Sequence, residues 1–184
     1  MTGNPELDLF KVPVPLKEEH VTYNAASDEE TINVGRRLGN VLKEGDVIAL
    51  AGELGSGKTW FTKGIALGLD IPPDVVITSP TFTLINEYQG RHKFVHLDAY
   101  RLENLSDFRS AGLDEVFFQA CVVAMEWADR WPEILPDRRL DVMLAIMGEH
   151  RRAITLSGHH PRSREILKDM RNRRDWAAGG TSAI

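Results

Sequence analysis

The sequence has a single cysteine, no long apolar run and no excess of positive charge. With Cys121 as the only thiol the chain cannot form an internal disulfide, and the apolar segment from Ala120 to Met125 favours a buried, reduced side chain. No apolar run approaches the roughly 20 residues that a membrane-spanning helix needs. The N-terminus carries Glu6 and Asp8 instead of a basic region followed by an apolar one. These absences predict a cytoplasmic protein that makes no contact with a membrane.

The charge distribution is uneven. A net charge of −5 argues against strong nonspecific binding of nucleic acid by the chain as a whole. Between Arg151 and Arg174, however, eight basic residues stand against only Glu165 and Asp169. This segment is either a solvated basic helix or a surface that contacts RNA or an acidic partner, and both interpretations stay open.

The dominant motif is the eight-residue stretch from Gly52 to Thr59, with the sequence GELGSGKT. It lies between an apolar run, Val47 to Ala51, and a helix-like segment, Trp60 to Leu69, which is the strand–loop–helix context of a P-loop. In such a loop the backbone N–H groups surround phosphate oxygens, and the following helix directs its positive N-terminal end at the same anion. The motif therefore predicts nucleotide binding.

The predicted nucleotide contacts come from the loop and the residue that follows it: Glu53, Leu54, Gly55, Ser56, Gly57, Lys58, Thr59 and Trp60. Lys58 should reach the β- and γ-phosphates, and the Thr59 hydroxyl should ligate Mg²⁺. A turn that only redirects the chain needs Gly but neither the lysine nor the threonine.

Two apolar segments end in a carboxylate, at Asp98 and at Glu126. Ligands of open parallel sheets bind outside the carboxyl ends of the strands, so both acids should reach the edge where the P-loop opens. Mg²⁺ usually takes one or two carboxylates together with substrate phosphates, and an acid there can also orient or deprotonate water. We therefore predict catalytic or metal-binding roles for both. His96 is interpreted as structural, and Trp127 as core or as a wall of the nucleotide pocket.

A hydroxyl-rich segment follows the P-loop helix, with Ser79, Thr81 and Thr83 around Pro80. Loops in this position of P-loop proteins commonly sense the γ-phosphate and Mg²⁺. The alternative is a Pro-anchored loop whose hydroxyls bond to their own backbone. The sequence alone does not separate the two.

The pattern as a whole predicts one α/β domain, a P-loop NTPase with a mixed, mostly parallel sheet flanked by helices and antiparallel hairpins. Residues 1–26 are expected to form an irregular arm, with at most an edge strand within residues 1–19. Residues 27–158 should form the P-loop ATPase domain, and residues 159–184 a basic helix and tail. Within the domain, we predict a helix capped by Ser27 and Glu30. The other predicted elements are a hairpin turning at residues 89–92, a helix over residues 105–118, and a closing hairpin from Leu140 to Leu156.

Four motifs in order carry a family resemblance: the P-loop, Ser79 to Leu84 with Asn86 to Tyr88, His96 to Leu102, and Glu126 to Ala128. Together they resemble the bacterial TsaE (YjeE) family over about Ser27 to Leu156. The P-loop is generic, whereas the other three motifs at these spacings are specific to that family. The resemblance implies an ATPase, using ATP and Mg²⁺, that is needed for threonylcarbamoyl modification of adenosine 37 in tRNAs. It also implies TsaD, which holds the transfer chemistry, and TsaB as protein partners.

The resemblance also implies residue roles. It assigns phosphate binding to Lys58 and its loop, Mg²⁺ to Thr59 and Glu126, and support of metal or water to Asp98. It places Thr81 and Thr83 in a switch-like segment and Arg152 near the nucleotide. The basic segment beyond Leu156 lies outside the resemblance and inherits no role.

The function expected from residues and resemblance together is slow, Mg²⁺-dependent ATP hydrolysis within tRNA threonylcarbamoyladenosine synthesis. The tRNA would be reached indirectly or through the basic C-terminal segment. Two alternatives remain, a small-molecule kinase and a nonenzymatic scaffold whose binding face is ordered by ATP. A kinase would need an acceptor pocket and usually an arginine-bearing lid, to which Arg101, Arg109 or Arg130 could contribute.

Overall fold

A seven-stranded sheet forms the centre of the protein, and the computed structural model describes residues 19–172. The strands are β1 (Glu19–Ala25), β2 (Val47–Ala51), β3 (Ile85–Gln89), β4 (Lys93–Asp98), β5 (Val122–Glu126), β6 (Leu140–Ile146) and β7 (Arg152–Gly158). Their order across the sheet is β1-β7-β6-β2-β5-β4-β3. The central strands β6, β2, β5 and β4 are parallel, whereas β1, β7 and β3 each pair antiparallel with their neighbours. The predicted fold class, including both hairpins, is confirmed.

Helices cover both faces of the sheet. They are α1 (Asp28–Gly39), α2 (Lys58–Gly68), α3 (Leu105–Ser110) and α4 (Pro161–Asn172), with short 3₁₀ segments at Leu113–Phe118, Ala128–Arg130 and Pro132–Ile134. Alternate residues of a strand point to opposite faces. Ile48 and Leu50 of β2 accordingly pack in the cluster that contains α1, α2 and α4 residues, and Val47 and Ala49 pack with α3 and the 3₁₀ segments. Within residues 19–172, no helix is both long enough and apolar enough to cross a bilayer.

The N-terminus of α1 has the predicted capping box. The Ser27 hydroxyl accepts from the Glu30 backbone N–H at 3.2 Å, and the Glu30 carboxylate accepts from the Ala26 N–H at 2.7 Å. These bonds satisfy donors that a helix end otherwise leaves unpaired. They fix the direction in which α1 leaves β1.

Helices α1 and α2 pack with their backbones in near contact, through Gly35 and Gly39 on α1 and Gly64 and Gly68 on α2. A Cβ atom at Gly64 would lie 2.1 Å from the Ile32 carbonyl oxygen and 2.9 Å from the Arg36 nitrogen. Both are backbone atoms of a neighbouring helix, so they cannot rotate away. The two helices can approach this closely only because these four residues have no side chain. The contact fixes α2, which begins at the end of the P-loop, against α1.

We expect Gly64→Ala to lower the free energy of unfolding by about 1–3 kcal/mol or more, because overpacking a rigid contact costs that much. The measurement is urea denaturation followed by circular dichroism. Gly148→Ala is the matched control, since a Cβ there meets only the Arg151 Cβ, at an ordinary 3.9 Å. Equal midpoints for the two variants would contradict the close packing of α1 on α2.

The irregular arm predicted for residues 1–26 is wrong for residues 19–25, which form β1; residues 1–18 lie outside the described part. Strand β1 pairs with β7 along its length, and the hydroxyls of Thr22 and Thr155 lie 3.0 Å apart. Val21 and Ala25 are buried against the core. The partner strand lies more than a hundred residues later in the chain, so no local pattern identified this edge strand.

The helical structure predicted over residues 105–118 is present, but it is divided into two helices. Helix α3 ends at Ser110, and Gly112 adopts a left-handed conformation with φ of 68° before the 3₁₀ segment begins. Phe108 and Phe117 consequently reach the same core from two short segments, with ring centroids 6.3 Å apart. Cys121 is buried as predicted, and burial raises the pKa of its thiol.

The described part of the basic C-terminal segment forms α4, and several of its arginines pair with acids of the same chain. Arg162 binds the buried Asp46 through two bonds of 2.7 and 2.9 Å. Arg164 and Arg171 both bind Glu19, and these hydrogen bonds lower the pKa of that carboxyl. Contact with RNA through this segment stays a prediction, and these ion pairs make it less favourable because such contact would compete with them.

Candidate nucleotide site

A pocket of about 320 Å³ opens where the central parallel strands end. It brings together residues from four separate stretches: the P-loop with the first turn of α2, the segment after α2, the end of β4 and the end of β5. They are Leu54, Gly55, Gly57, Lys58, Thr59, Trp60, Ser79, Thr81, Asp98, Tyr100, Glu126 and Trp127. Ten of these twelve were predicted as nucleotide, metal or catalytic residues, and Ser79 was predicted as part of the phosphate-sensing segment.

The P-loop has the conformation that its glycines permit. Gly52 and Gly57 have φ angles of 143° and 99°, which residues with a Cβ rarely adopt. A Cβ at Gly52 would also lie 2.4 Å from the Leu144 carbonyl oxygen of β6. The loop therefore passes close beside β6 and delivers the N-terminus of α2, with its unpaired N–H groups, to the floor of the pocket.

Lys58 is 5% exposed and lies across the loop. Its Nζ donates to the carbonyl oxygens of Gly52 at 2.7 Å and Glu53 at 2.9 Å. Burial lowers the pKa of Lys58, and the nearby carboxylates of Glu126, Asp129 and Asp98 act in the opposite direction. The Lys58 ammonium group is held at the pocket floor by two carbonyls. Rotation of its side chain would bring it to a bound anion without a large movement of the backbone.

Trp127 lines the pocket and also packs against the core, so it combines the two roles predicted for it. Its indole ring lies 3.8 Å from the Lys58 Nζ and packs against Tyr100 with centroids 4.9 Å apart. Its φ of 60° is unusual for a bulky residue. Strained backbone of this kind concentrates at functional sites, where the surrounding structure holds it.

Glu126 is buried at the end of β5 and has two side-chain partners. Its Oε1 accepts from the Thr59 hydroxyl at 3.0 Å and lies 2.9 Å from His96 Nε2. Asp98 ends the adjacent strand directly beside it, in register with Glu126. The two predicted acids and the P-loop hydroxyl are therefore brought together.

Asp98 connects the sheet to the hydroxyl-rich segment. Its Oδ2 accepts from the hydroxyls of Ser79 and Thr81, the latter at 2.9 Å, and its Oδ1 accepts from the Tyr100 N–H at 2.8 Å. The Ser79 and Thr81 hydroxyls are also 2.7 Å from each other. These hydroxyls bind a carboxylate of the pocket, which argues against the alternative that they only satisfy their own backbone.

Four predicted contact residues do not line the pocket. Glu53 contributes its carbonyl to Lys58, and the buried Ser56 hydroxyl lies 3.5 Å from the same Nζ. Thr83 is exposed beside Asn86, because a turn closed by the Leu84 N–H bond to Pro80 directs it outward. Arg152 lies behind the loop and donates to the Ser56 and Gly55 carbonyls at 3.1 and 3.2 Å. Arg152 can thus act on a nucleotide only through the loop.

The donors in the pocket fit Mg²⁺. Among residues 19–172 no three His, Cys, Asp or Glu side chains converge as a metal site made by the protein alone. Mg²⁺ instead prefers oxygen ligands, with one or two carboxylates and the phosphates of a substrate. The Thr59 hydroxyl with the carboxylates of Glu126 and Asp98 provides that kind of oxygen set beside the P-loop.

Two pocket features were missed by sequence reasoning. His96, interpreted as structural, touches Glu126, and Tyr100 lines the pocket beside Trp127. Strand alternation carried a signal for the first: residues 96 and 98 point to the same face of β4, so a residue beside Asp98 can also approach the neighbouring Glu126. Tyr100 lies in a loop, where no periodic pattern applies.

Comparison with known proteins gives one consistent family. The family model described as "Threonylcarbamoyl adenosine biosynthesis protein TsaE" matches residues 25–154. A protein of Treponema pallidum named tRNA threonylcarbamoyladenosine biosynthesis protein TsaE is 40% identical over 131 residues, covering 71% of this chain and 96% of that protein. The Bacillus subtilis protein of the same name is 38% identical over 153 residues, covering 83% and 94%.

A solved structure agrees with the sequence matches. The crystal structure of YdiB from Bacillus subtilis superposes with a TM-score of 0.73 at 33% sequence identity, and it covers 84% of this chain and 95% of that chain.

Proposed function

This chain belongs to the TsaE family, and we propose that it binds and slowly hydrolyses ATP with Mg²⁺ in the synthesis of threonylcarbamoyladenosine on tRNA. The observation that carries the proposal is the convergence of Lys58, Thr59 and Glu126 in one pocket at the N-terminus of α2. A turn that only changed the direction of the chain would need none of these side chains.

Phosphate binding would use the backbone of the loop and the ammonium group of Lys58. The N–H groups at the start of α2 and the helix dipole favour an anion at that point. Lys58 would exchange its bonds to Gly52 and Glu53 for phosphate oxygens. Trp127, packed over Lys58, would lie against the bound nucleotide and help to exclude water.

Thr59 and Glu126 would hold Mg²⁺, with Asp98 beside them. When bound, the ion neutralises charge on the β- and γ-phosphates. The Glu126 carboxylate would accept a proton from, or orient, the attacking water, because it is the acid bonded to the P-loop threonine. Asp98 would hold Ser79 and Thr81 in place, so a change at the γ-phosphate would be felt by the segment after α2.

We expect Lys58→Ala to weaken ATP binding by about 10- to 100-fold, since a hydrogen bond to a charged group contributes roughly 1.5–3 kcal/mol. The measurement is calorimetric titration of ATP into the folded variant. Lys168→Ala is the matched control, because Lys168 is exposed on α4 and does not line the pocket. Wild-type affinity in Lys58→Ala would exclude this pocket as the ATP site.

We further propose that the pocket side of the molecule docks onto TsaD and TsaB. Two apolar side chains are highly exposed on this side: Leu54, which lines the pocket, at 76%, and Phe82, which follows the pocket residue Thr81, at 82%. Phe82 belongs to the segment that Asp98 holds through Ser79 and Thr81. A partner that covers Phe82 would therefore contact the part of the chain closest to the γ-phosphate position.

A further inference from the structure

We propose that His96 is a positioning residue that fixes the Glu126 carboxylate for metal binding and hydrolysis. The inference rests on the proposed function, because it assigns a role within the same site. His96 is fully buried (0% exposed) and Glu126 is 2% exposed, so water does not compete for the contact between them. The 2.9 Å separation of His96 Nε2 and Glu126 Oε1 is that of a good hydrogen bond.

The direction of this hydrogen bond follows from the chemistry of the two groups. A carboxylate only accepts, so the proton of the bond belongs to His96 Nε2. His96 Nδ1 is buried and has no hydrogen-bond partner among the described residues. Among the described side chains, the hydrogen bond to Glu126 is therefore the one that holds the His96 ring in place.

His96 is one of two side chains that hold the Glu126 carboxylate. Thr59 binds the same carboxylate from the P-loop side at 3.0 Å. His96 and Thr59 together restrict the rotamer of Glu126, and partners that orient metal-binding groups typically matter by about 10- to 100-fold in affinity or activity.

A double-mutant cycle tests the inference. We expect His96→Leu to lower ATP hydrolysis by roughly 10- to 100-fold and to reduce the gain in ATP affinity that Mg²⁺ provides, without changing ATP affinity in the absence of Mg²⁺. In a Glu126→Gln background the same substitution should have little further effect, because the group that His96 positions has already lost its charge. Additive losses in the double variant would overturn the proposal.

Two conservative variants separate positioning from simple packing. The amide nitrogen of His96→Gln can reach the place of Nε2, whereas that of His96→Asn is too short and mimics Nδ1. We expect Gln to restore hydrolysis to within a few-fold of wild type and Asn to resemble Leu. Ile154→Ala is the stability control: it should lower the melting temperature and leave the Mg²⁺-dependent gain unchanged, since Ile154 lies in β7 in the core. Equal activity of the Gln and Asn variants would contradict the inference.

A measurement on the free chain needs no nucleotide. Two-bond ¹⁵N–¹H correlation spectra should show the proton of His96 on Nε2, and Glu126→Gln should shift that signal. A proton on Nδ1 with none on Nε2 would overturn the assignment. Failure of Lys58→Ala to weaken ATP binding, or absence of a Mg²⁺-dependent gain in the wild type, would instead refute the proposed function and the inference together.

Discussion

Glu126→Gln should lower ATP hydrolysis by about 100- to 10,000-fold, the usual contribution of a positioned acid or base. Glutamine keeps the shape of the side chain and can still lie beside Thr59, but it cannot accept a proton. We therefore expect ATP binding to the loop to change by only several-fold. Steady-state phosphate release at saturating Mg²⁺, with ATP affinity measured separately, tests both parts.

The control for this variant is Glu133→Gln, an exposed glutamate outside the pocket that should hydrolyse ATP at the wild-type rate. Asp98→Asn provides the second comparison. Its carboxylate is already bonded by Ser79, Thr81 and the Tyr100 N–H, so its loss should loosen the segment after α2 as well as slow hydrolysis. Wild-type turnover in Glu126→Gln together with an inactive Asp98→Asn would transfer the water-activating role to Asp98.

The parts of the site that the sequence predicts are those with a local pattern. The P-loop is recognisable because Lys58 and Thr59 follow glycines between an apolar strand and a helix. Asp98 and Glu126 are recognisable because each ends an apolar strand, and parallel strands present their carboxyl ends at one edge of the sheet. These rules need no knowledge of which strands are neighbours.

The features that could not be predicted depend on long-range neighbours. Strand β1 exists because β7 pairs with it, although the two lie at opposite ends of the domain sequence. The contact of His96 with Glu126 depends on the parallel pairing of β4 with β5, which periodicity alone does not establish. Arg152 could be associated with the P-loop, but its position behind the loop carbonyls follows from the path of the β6–β7 hairpin.

The isolated chain should be a slow ATPase whose turnover rises when TsaB and TsaD are added. Phosphoryl transfer needs positive charge on the γ-phosphate beyond Mg²⁺ and the loop lysine, and a well-placed arginine is worth roughly 10³ to 10⁵ in rate. Among the described residues that line the pocket, Lys58 is the only cation. The arginines nearby are engaged elsewhere: Arg101 lies over the Phe82 ring, and Arg130 donates to the Tyr100 carbonyl.

A partner can raise the rate of ATP hydrolysis in two ways. It can supply an arginine, or it can cover Phe82 and release Arg101 toward the phosphate. Substituting Phe82→Ser removes the exposed apolar contact and should weaken ATP-dependent association with the partners. If the Phe82 ring holds Arg101 away from the phosphate, the same variant should raise hydrolysis by the isolated chain. By linkage, if ATP tightens the complex, the complex must tighten ATP binding by the same factor.

Steady-state hydrolysis alone and with both partners, with complex affinity measured in the presence and absence of ATP, tests this expectation. Stimulation that disappears in Arg101→Ala would identify the activating arginine as one of this chain, whereas stimulation that survives would assign it to a partner. Fast hydrolysis by the isolated chain, unchanged by partners that bind regardless of nucleotide, would contradict the expectation. The chain would then be better described as a stand-alone enzyme, because its own residues would have to stabilise the charge that develops on the γ-phosphate.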